Sequence, residues 1–229
     1  MMNISYTVKR SRKRQKTMSL QVCDDAKIIV SAPSFTPADD IRRFVEEKQG
    51  WVAKILARQK QEAAHAKEKK YETGEQFFYL GQLYPLEVFF EPFEKEGIAF
   101  RNHRFYLNCR SDKVLRKQCF VAWYSKKADE MIRRRVDFFS GMLKLPYERI
   151  RITSAGSRWG SCSEDNSLSF SYRLIMAPPD VVDYVIVHEL VHIREKNHSS
   201  TFWQKVEAVM PSFREQRRWL QDNHSNLAL

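Results

Sequence analysis

The chain has 229 residues, 43% of them hydrophobic, and its 39 lysines and arginines outweigh 28 acids for a formal net charge of +11. That length suits one compact domain or two small ones sharing a core, and no stretch reaches the roughly 18–20 apolar residues of a membrane span. The start, Met-Met-Asn-Ile-Ser-Tyr-Thr-Val-Lys-Arg, holds no apolar signal core, so a cytoplasmic protein with no membrane partner and reduced cysteines (Cys23, Cys109, Cys119, Cys162) is expected.

Residues 3–32 read as β structure. Ile4, Tyr6 and Val8 alternate, and Met18, Leu20 and Val22 alternate again. Between them the basic run Lys9, Arg10, Arg12, Lys13, Arg14 and Lys16 is expected to form a turn or hairpin end, and Asp24-Asp25 a tight turn before Ile28-Ile29-Val30. Thr36 reads as an N-cap ahead of Pro37, with Asp39-Asp40 at the positive end of the helix dipole. The apolar stripe of that helix is Ile41, Phe44, Val45, Trp51, Val52, Ile55 and Leu56, and Gly50 is its weak point.

From Gln76 to Leu107 short apolar runs punctuated by Gly81, Pro92, Gly97 and Asn102-His103 predict a small antiparallel meander. Ser111-Asp112 opens a long helix to about Leu143, on which Val114, Leu115, Val121, Tyr124, Ile132, Val136 and Phe139 recur at helical spacing. Strands near Ile150–Ser154 and Ser167–Ser171 flank Arg158-Trp159-Gly160-Ser161-Cys162. A helix from Pro178-Pro179-Asp180 follows, then one from Ser199-Ser200 and a further piece after Pro211. Strands, helix, strands, then mostly helices is an α+β order. The expected division is a β-rich region with one long helix at 1–108 and a catalytic region at 109–229, together forming one compact unit.

The helix from Pro179 carries His188-Glu189-Leu190-Val191-His192. Histidines four apart lie about 40° apart around a helix, so both imidazoles meet one cation, while Glu189 leans over a bound water. Val181, Val182, Tyr184, Val185, Ile186 and Val187 make the helix apolar nearly all round. Two histidines and a carboxylate buried there without a partner would cost several kcal/mol, a cost that a cation offsets. A catalytic zinc needs a third protein ligand and an open fourth position. His198 is the preferred third ligand, with Glu207 or Glu215 as the carboxylate alternatives. A straight helix would carry His198 roughly 15 Å past the metal, so the chain must turn back, and Asn197 is the residue expected to end the helix. Glu189 would then be the general base, and histidine ligands suit zinc, nickel or another divalent transition metal.

The segments Ser157-Arg158-Trp159-Gly160-Ser161-Cys162-Ser163, Tyr172-Arg173-Leu174-Ile175, His188-Glu189-Leu190-Val191-His192 and Asn197-His198-Ser199 with Phe202-Trp203 resemble the YgjP-like metallopeptidases, relatives of the WLM and SprT-like zincins. Val8 to Arg14 and Ala32-Pro33 extend the resemblance over nearly the whole chain. It implies a zincin-like core, with an active-site helix, a backing helix and a small sheet whose edge strand lies along the cleft. It also implies metal at His188, His192 and His198, with Glu189 as base.

Arg158, Gly160, Tyr172 and Arg173 are candidates for substrate contact. Arg158 would bind an anionic group or an oxyanion, and Gly160 would let substrate approach the backbone. Trp159 and Cys162 read as packing. The expected function is a zinc peptidase acting on peptides. The alternatives are a metal-dependent nucleoside triphosphate pyrophosphatase, as some relatives are labelled for UTP, and a basic nucleic-acid-binding module. The positive charge favours an anionic partner in each case. The basic run lacks the interleaved aromatics of a single-strand-binding platform.

Overall fold

The computed structural model describes residues 5–12, 14, 17–22, 27–65, 69–110, 113–156 and 158–229, with the backbone alone for 58–65. The fold is α+β and divides into two compact units, Met1–Lys67 and Glu68–Leu229. The division expected near residue 108 falls inside the second unit. Phe77, Leu86, Phe105 and Leu107, before that point, share one buried cluster with Phe120, Ile132 and Val187 after it.

In the first unit β3 (Ile28–Pro33) is the central strand, parallel to β1 (Thr7–Ser11) and antiparallel to β2 (Ser19–Val22). The hairpin expected across the basic run does not form, because its two arms flank β3. Val30 and Ala32 of β3 are wholly buried, which suits a strand with neighbours on both edges. Arg10 donates to the carbonyls of Ser34 (3.0 Å) and Thr36 (2.7 Å), so part of the basic run clasps its own chain. Lys13, Lys16 and Asp24-Asp25 lie outside the described residues. Helix α1 (Ala38–Glu47) has Pro37, not Thr36, at its N-cap and no side-chain cap bond. The break expected at Gly50 comes at Lys48, whose N–H reaches the carbonyls of Phe44 and Val45, and Gly50 lies within α2 (Gln49–His65).

The second unit begins with β4 (Gln76–Tyr79), β5 (Gln82–Phe89), β6 (Gly97–Arg101) and β7 (Arg104–Asn108), in the order β4-β5-β7-β6. A meander would pair β5 with β6. Here β7 lies parallel against β5, with Leu86 opposite Phe105, so the sheet is mixed. Asn102 and His103 both take positive φ, 50° and 58°, the backbone of a tight two-residue hairpin. Helix α3 (Lys113–Leu143) buries Phe120, Tyr124, Ala128, Ile132 and Val136, a stripe at four-residue steps, with Phe139 beyond them. Ser111-Asp112, expected to open it, lie outside the described residues.

A second sheet has the order β8-β10-β9, built from β8 (Ile150–Thr153), β9 (Gly160–Cys162) and β10 (Leu168–Ser171), with β9 at its edge. Helices α4 (Pro179–Val191), α5 (Ser200–Val209) and α6 (Phe213–Asn223) complete the unit. The turn between β4 and β5 fixes the start of α4. Leu80 N–H donates to the carbonyl of Ile175 (3.0 Å) and Gly81 N–H to that of Met176 (2.9 Å). Gly81 has φ +83°, and a Cβ there would meet Pro178 Cγ at 2.6 Å. Arg135 of α3 grips Asp183 of α4 through two guanidinium N–H groups, one at 2.6 Å. Among the described residues no helix is long and apolar enough to cross a membrane.

Candidate metal centre

Helix α4 is buried on nearly every face through Val181, Val182, Tyr184, Val185, Ile186, Val187, Leu190 and Val191. It ends at Val191, with His192 as its C-cap. Bonds from the N–H groups of Ile193 and Arg194 to the carbonyls of Leu190 and Val191 tighten the last turn and swing the chain back. The reversal therefore begins well before Asn197, which has no positive φ. Ser199 then caps α5 by accepting from Phe202 N–H (3.3 Å), which leaves His198 just ahead of a fixed helix start.

The result is convergence. His198 Nε2 lies 2.9 Å from His188 Nε2 and 3.1 Å from His192 Nε2. Among the described residues these three form the one cluster of histidine, cysteine or carboxylate groups that fits a metal ion. Glu207 is paired with Arg214, and Glu215 stands in the first turn of α6, so neither carboxylate takes the third place. His192 Nδ1 donates to the carbonyl of Glu195 (2.8 Å), which turns its Nε2 lone pair toward the other two rings. Burial lowers His188 to about 3, and His198 is lowered by burial and by His192, so both imidazoles stay neutral.

Three neutral nitrogens facing one another offer too few protons to satisfy their lone pairs, whereas a cation uses all three. Nitrogens bound to a tetrahedral zinc sit ~3.3 Å apart, close to the spacings here. One feature departs from the usual arrangement: His188 Nδ1 is buried and has no hydrogen-bond partner among the described residues. Metal-binding histidines normally donate that proton to an acceptor.

Glu189 projects from the same helix and is 6% exposed. Burial raises its carboxyl from an ordinary 4.5 to about 8, with Arg158 opposing the rise. Its side chain lies against Gly160 of the edge strand, where a Cβ would meet Glu189 Cγ at 2.6 Å and Oε1 at 2.7 Å. Gly160→Ala is therefore expected to push the carboxylate aside and lower turnover about 100-fold, the scale of a 1 Å misplacement, with metal content unchanged. Metal analysis alongside kcat/KM checks this, and a loss of metal would locate the damage at the histidines instead.

The buried carboxyl also sets a pH dependence for protein stripped of metal by a chelator. The folded chain keeps the Glu189 proton where the unfolded chain has released it. Stability from this group is fully present below about 4.5 and is lost as the pH rises through about 8. Glutamine has no such loss. Chelated Glu189→Gln should exceed chelated wild type in stability, by a gap that widens ~1.4 kcal/mol per pH unit at most across that window. Thermal melts read the gap, and a gap constant with pH would show that the carboxyl is not held neutral.

The other expected site residues divide. Arg158 is exposed and its charge reaches Glu189. Tyr172 is a core residue, 7% exposed, electrostatically coupled to buried Tyr71 and Tyr124. Arg173 donates to the carbonyls of Leu227 (2.6 Å), His224 (3.1 Å) and Gly156 (3.2 Å) and covers the Trp159 ring. These two serve the frame. Trp159 and Cys162 pack against the main core, as expected, and Ser157 lies outside the described residues.

Sequence reasoning missed β9 and Arg217. The positive charge of Arg217, on α6, reaches both His188 and His198. A lone arginine on an amphipathic helix carries no motif that would have singled it out.

The family described as YgjP-like, metallopeptidase domain matches residues 16–223 of the chain. Among solved structures, the metallopeptidase zymogen of Pyrococcus abyssi abylysin is similar at 20% identity over 40% of this chain and 93% of that one, with a TM-score of 0.37. Among curated proteins nothing matches.

Proposed function

Because the chain belongs to the YgjP-like metallopeptidase family, we propose that it is a zinc-dependent peptidase with His188, His192 and His198 as metal ligands and Glu189 as general base. The observation that carries this reading is the convergence of three imidazole nitrogens beside a buried carboxyl. A divalent cation held there supplies Lewis acidity, making water nucleophilic near neutral pH and polarising a peptide carbonyl.

The chain's own groups do the rest. Glu189 takes the proton of the attacking water on Oε1 or Oε2 and returns it to the departing amine nitrogen. Arg158 favours the charged form of that carboxylate and so opposes its burial. Among the described residues edge strand β9 has an unpaired side, on which an extended peptide adds as a further strand, bringing a carbonyl past Gly160. With no side chain at 160, Glu189 and the peptide backbone approach the same spot.

The experiment is a parallel screen of peptide libraries and nucleoside triphosphates with zinc-loaded protein, using Glu189→Gln as control. Peptide cleavage that stops with chelator supports the reading, and triphosphate cleavage without peptide cleavage overturns it.

A further inference from the structure

A recess borders the metal centre. It is an open cavity of about 480 Å³ lined by Trp203, Phe213, Arg214, Arg217, Arg218 and Gln221. Its link to the histidines is a stack of rings. The Trp203 indole lies 5.6 Å from the His198 imidazole at 22°, and 5.2 Å from the Phe213 ring at 16°. Arg217 sits over the indole, its guanidinium carbon 5.2 Å from the ring centroid. The Trp203 ring thus touches His198 and also lines the cavity.

The charge in the cavity is one-sided. Arg214 is paired with Glu207 and lies over Phe213. Arg217 and Arg218 have no carboxylate within ion-pair distance among the described residues, and no acid lines the cavity. A divalent ion on three neutral imidazoles would add two further positive charges nearby. Arginine packed over an aromatic ring loses less freedom when its N–H fork engages a carboxylate or phosphate. A merely solvated arginine pair would need neither the indole platform nor a recess.

We propose that this cavity is the anion subsite of the active centre: Arg217, with Arg218 beside it, binds an oxyanion of the substrate adjacent to the bond that is cut. The inference rests on the hydrolase reading of the metal centre and deepens it by naming the substrate class. In a peptide the oxyanion is an acidic side chain or a free C-terminal carboxylate, and in a nucleotide it is a phosphate.

The test has two arms. In the first, zinc-loaded wild type and Arg217→Ala are compared on peptides that differ only by aspartate against asparagine near the cleaved bond, and by a free against an amidated C-terminus. Wild type should favour the charged peptide by about 10- to 100-fold in kcat/KM, the range of one charge-assisted bond, and the variant should lose that preference, the charged peptide falling at least about tenfold further than the neutral one. Equal loss on charged and neutral peptides, or an unchanged preference, overturns the proposal.

The second arm does not need turnover. Inorganic phosphate, a nucleoside triphosphate and an aspartate peptide are titrated calorimetrically into zinc-loaded Glu189→Gln, with and without Arg217→Ala. Anion binding weakened at least about tenfold by the arginine change supports the subsite even if no peptide is ever cut. Triphosphate binding in preference to the peptide supports the subsite while counting against the peptidase reading. Anion binding indifferent to Arg217 overturns the subsite and leaves the peptidase reading standing.

Discussion

Glu189→Gln is expected to lower hydrolysis by about 10²–10⁴-fold while zinc content stays stoichiometric. Glutamine keeps the shape and one of the two accepting oxygens, so it preserves the fit against Gly160, where Glu189 Cγ and Oε1 crowd the glycine. What it removes is the ability to accept and release a proton. Burial alone would hold the Glu189 carboxyl protonated near neutral pH, at about 8. A divalent cation placed beside it favours the charged form, so metal loading and base strength are coupled at one position. Parallel kcat/KM and metal measurements separate the two contributions. A variant that keeps its zinc and retains activity within about tenfold would remove Glu189 from the proton transfer.

His188→Ala is expected to empty the site. The His188 ring centroid lies 4.9 Å from those of both His192 and His198. Its neutrality is fixed by burial, which lowers it to about 3, so no bound proton has to leave before a metal binds. Loss of an outer partner typically costs 10–100-fold in metal affinity, roughly, and loss of a ligand itself should exceed that. The fold should survive, because the deleted ring carries a buried nitrogen without a partner among the described residues and most of α4 packs through its aliphatic residues. Metal analysis after gel filtration and a thermal melt report the two outcomes independently. Stoichiometric zinc in the variant would mean that another group takes the ligand position.

Much of this site is legible in the sequence because its logic is local. Spacing four on a helix places His188 above His192 whatever the rest of the chain does, and an all-apolar helix implies burial. What is not legible depends on contacts distant in sequence. The chain reversal comes at Val191–Arg194 and not at Asn197, because the stop is made by tightened backbone bonds that involve no residue of special conformation. Strand β9 escapes notice because Gly160-Ser161-Cys162 has neither alternation nor β-branching, and it pairs only because β10 offers an edge. The parallel pairing of β5 with β7 is likewise set by which neighbours bury Leu86 and Phe105. In the first unit, the hairpin suggested by two alternating segments yields to β3, which has the more apolar strand and takes both as partners.

The β4–β5 turn holds the chain just before α4 by two backbone bonds, with Gly81 seated against Pro178. A helix is a stiff rod rising ~1.5 Å per residue, so whatever sets the near end of the rod also sets the height and rotation of the imidazoles farther along it. The small hairpin therefore acts as a datum, a gauge block against which the register of His188 and His192 is cut. Lengthening that turn by a residue would lift the block and turn the rod without touching any group that does chemistry.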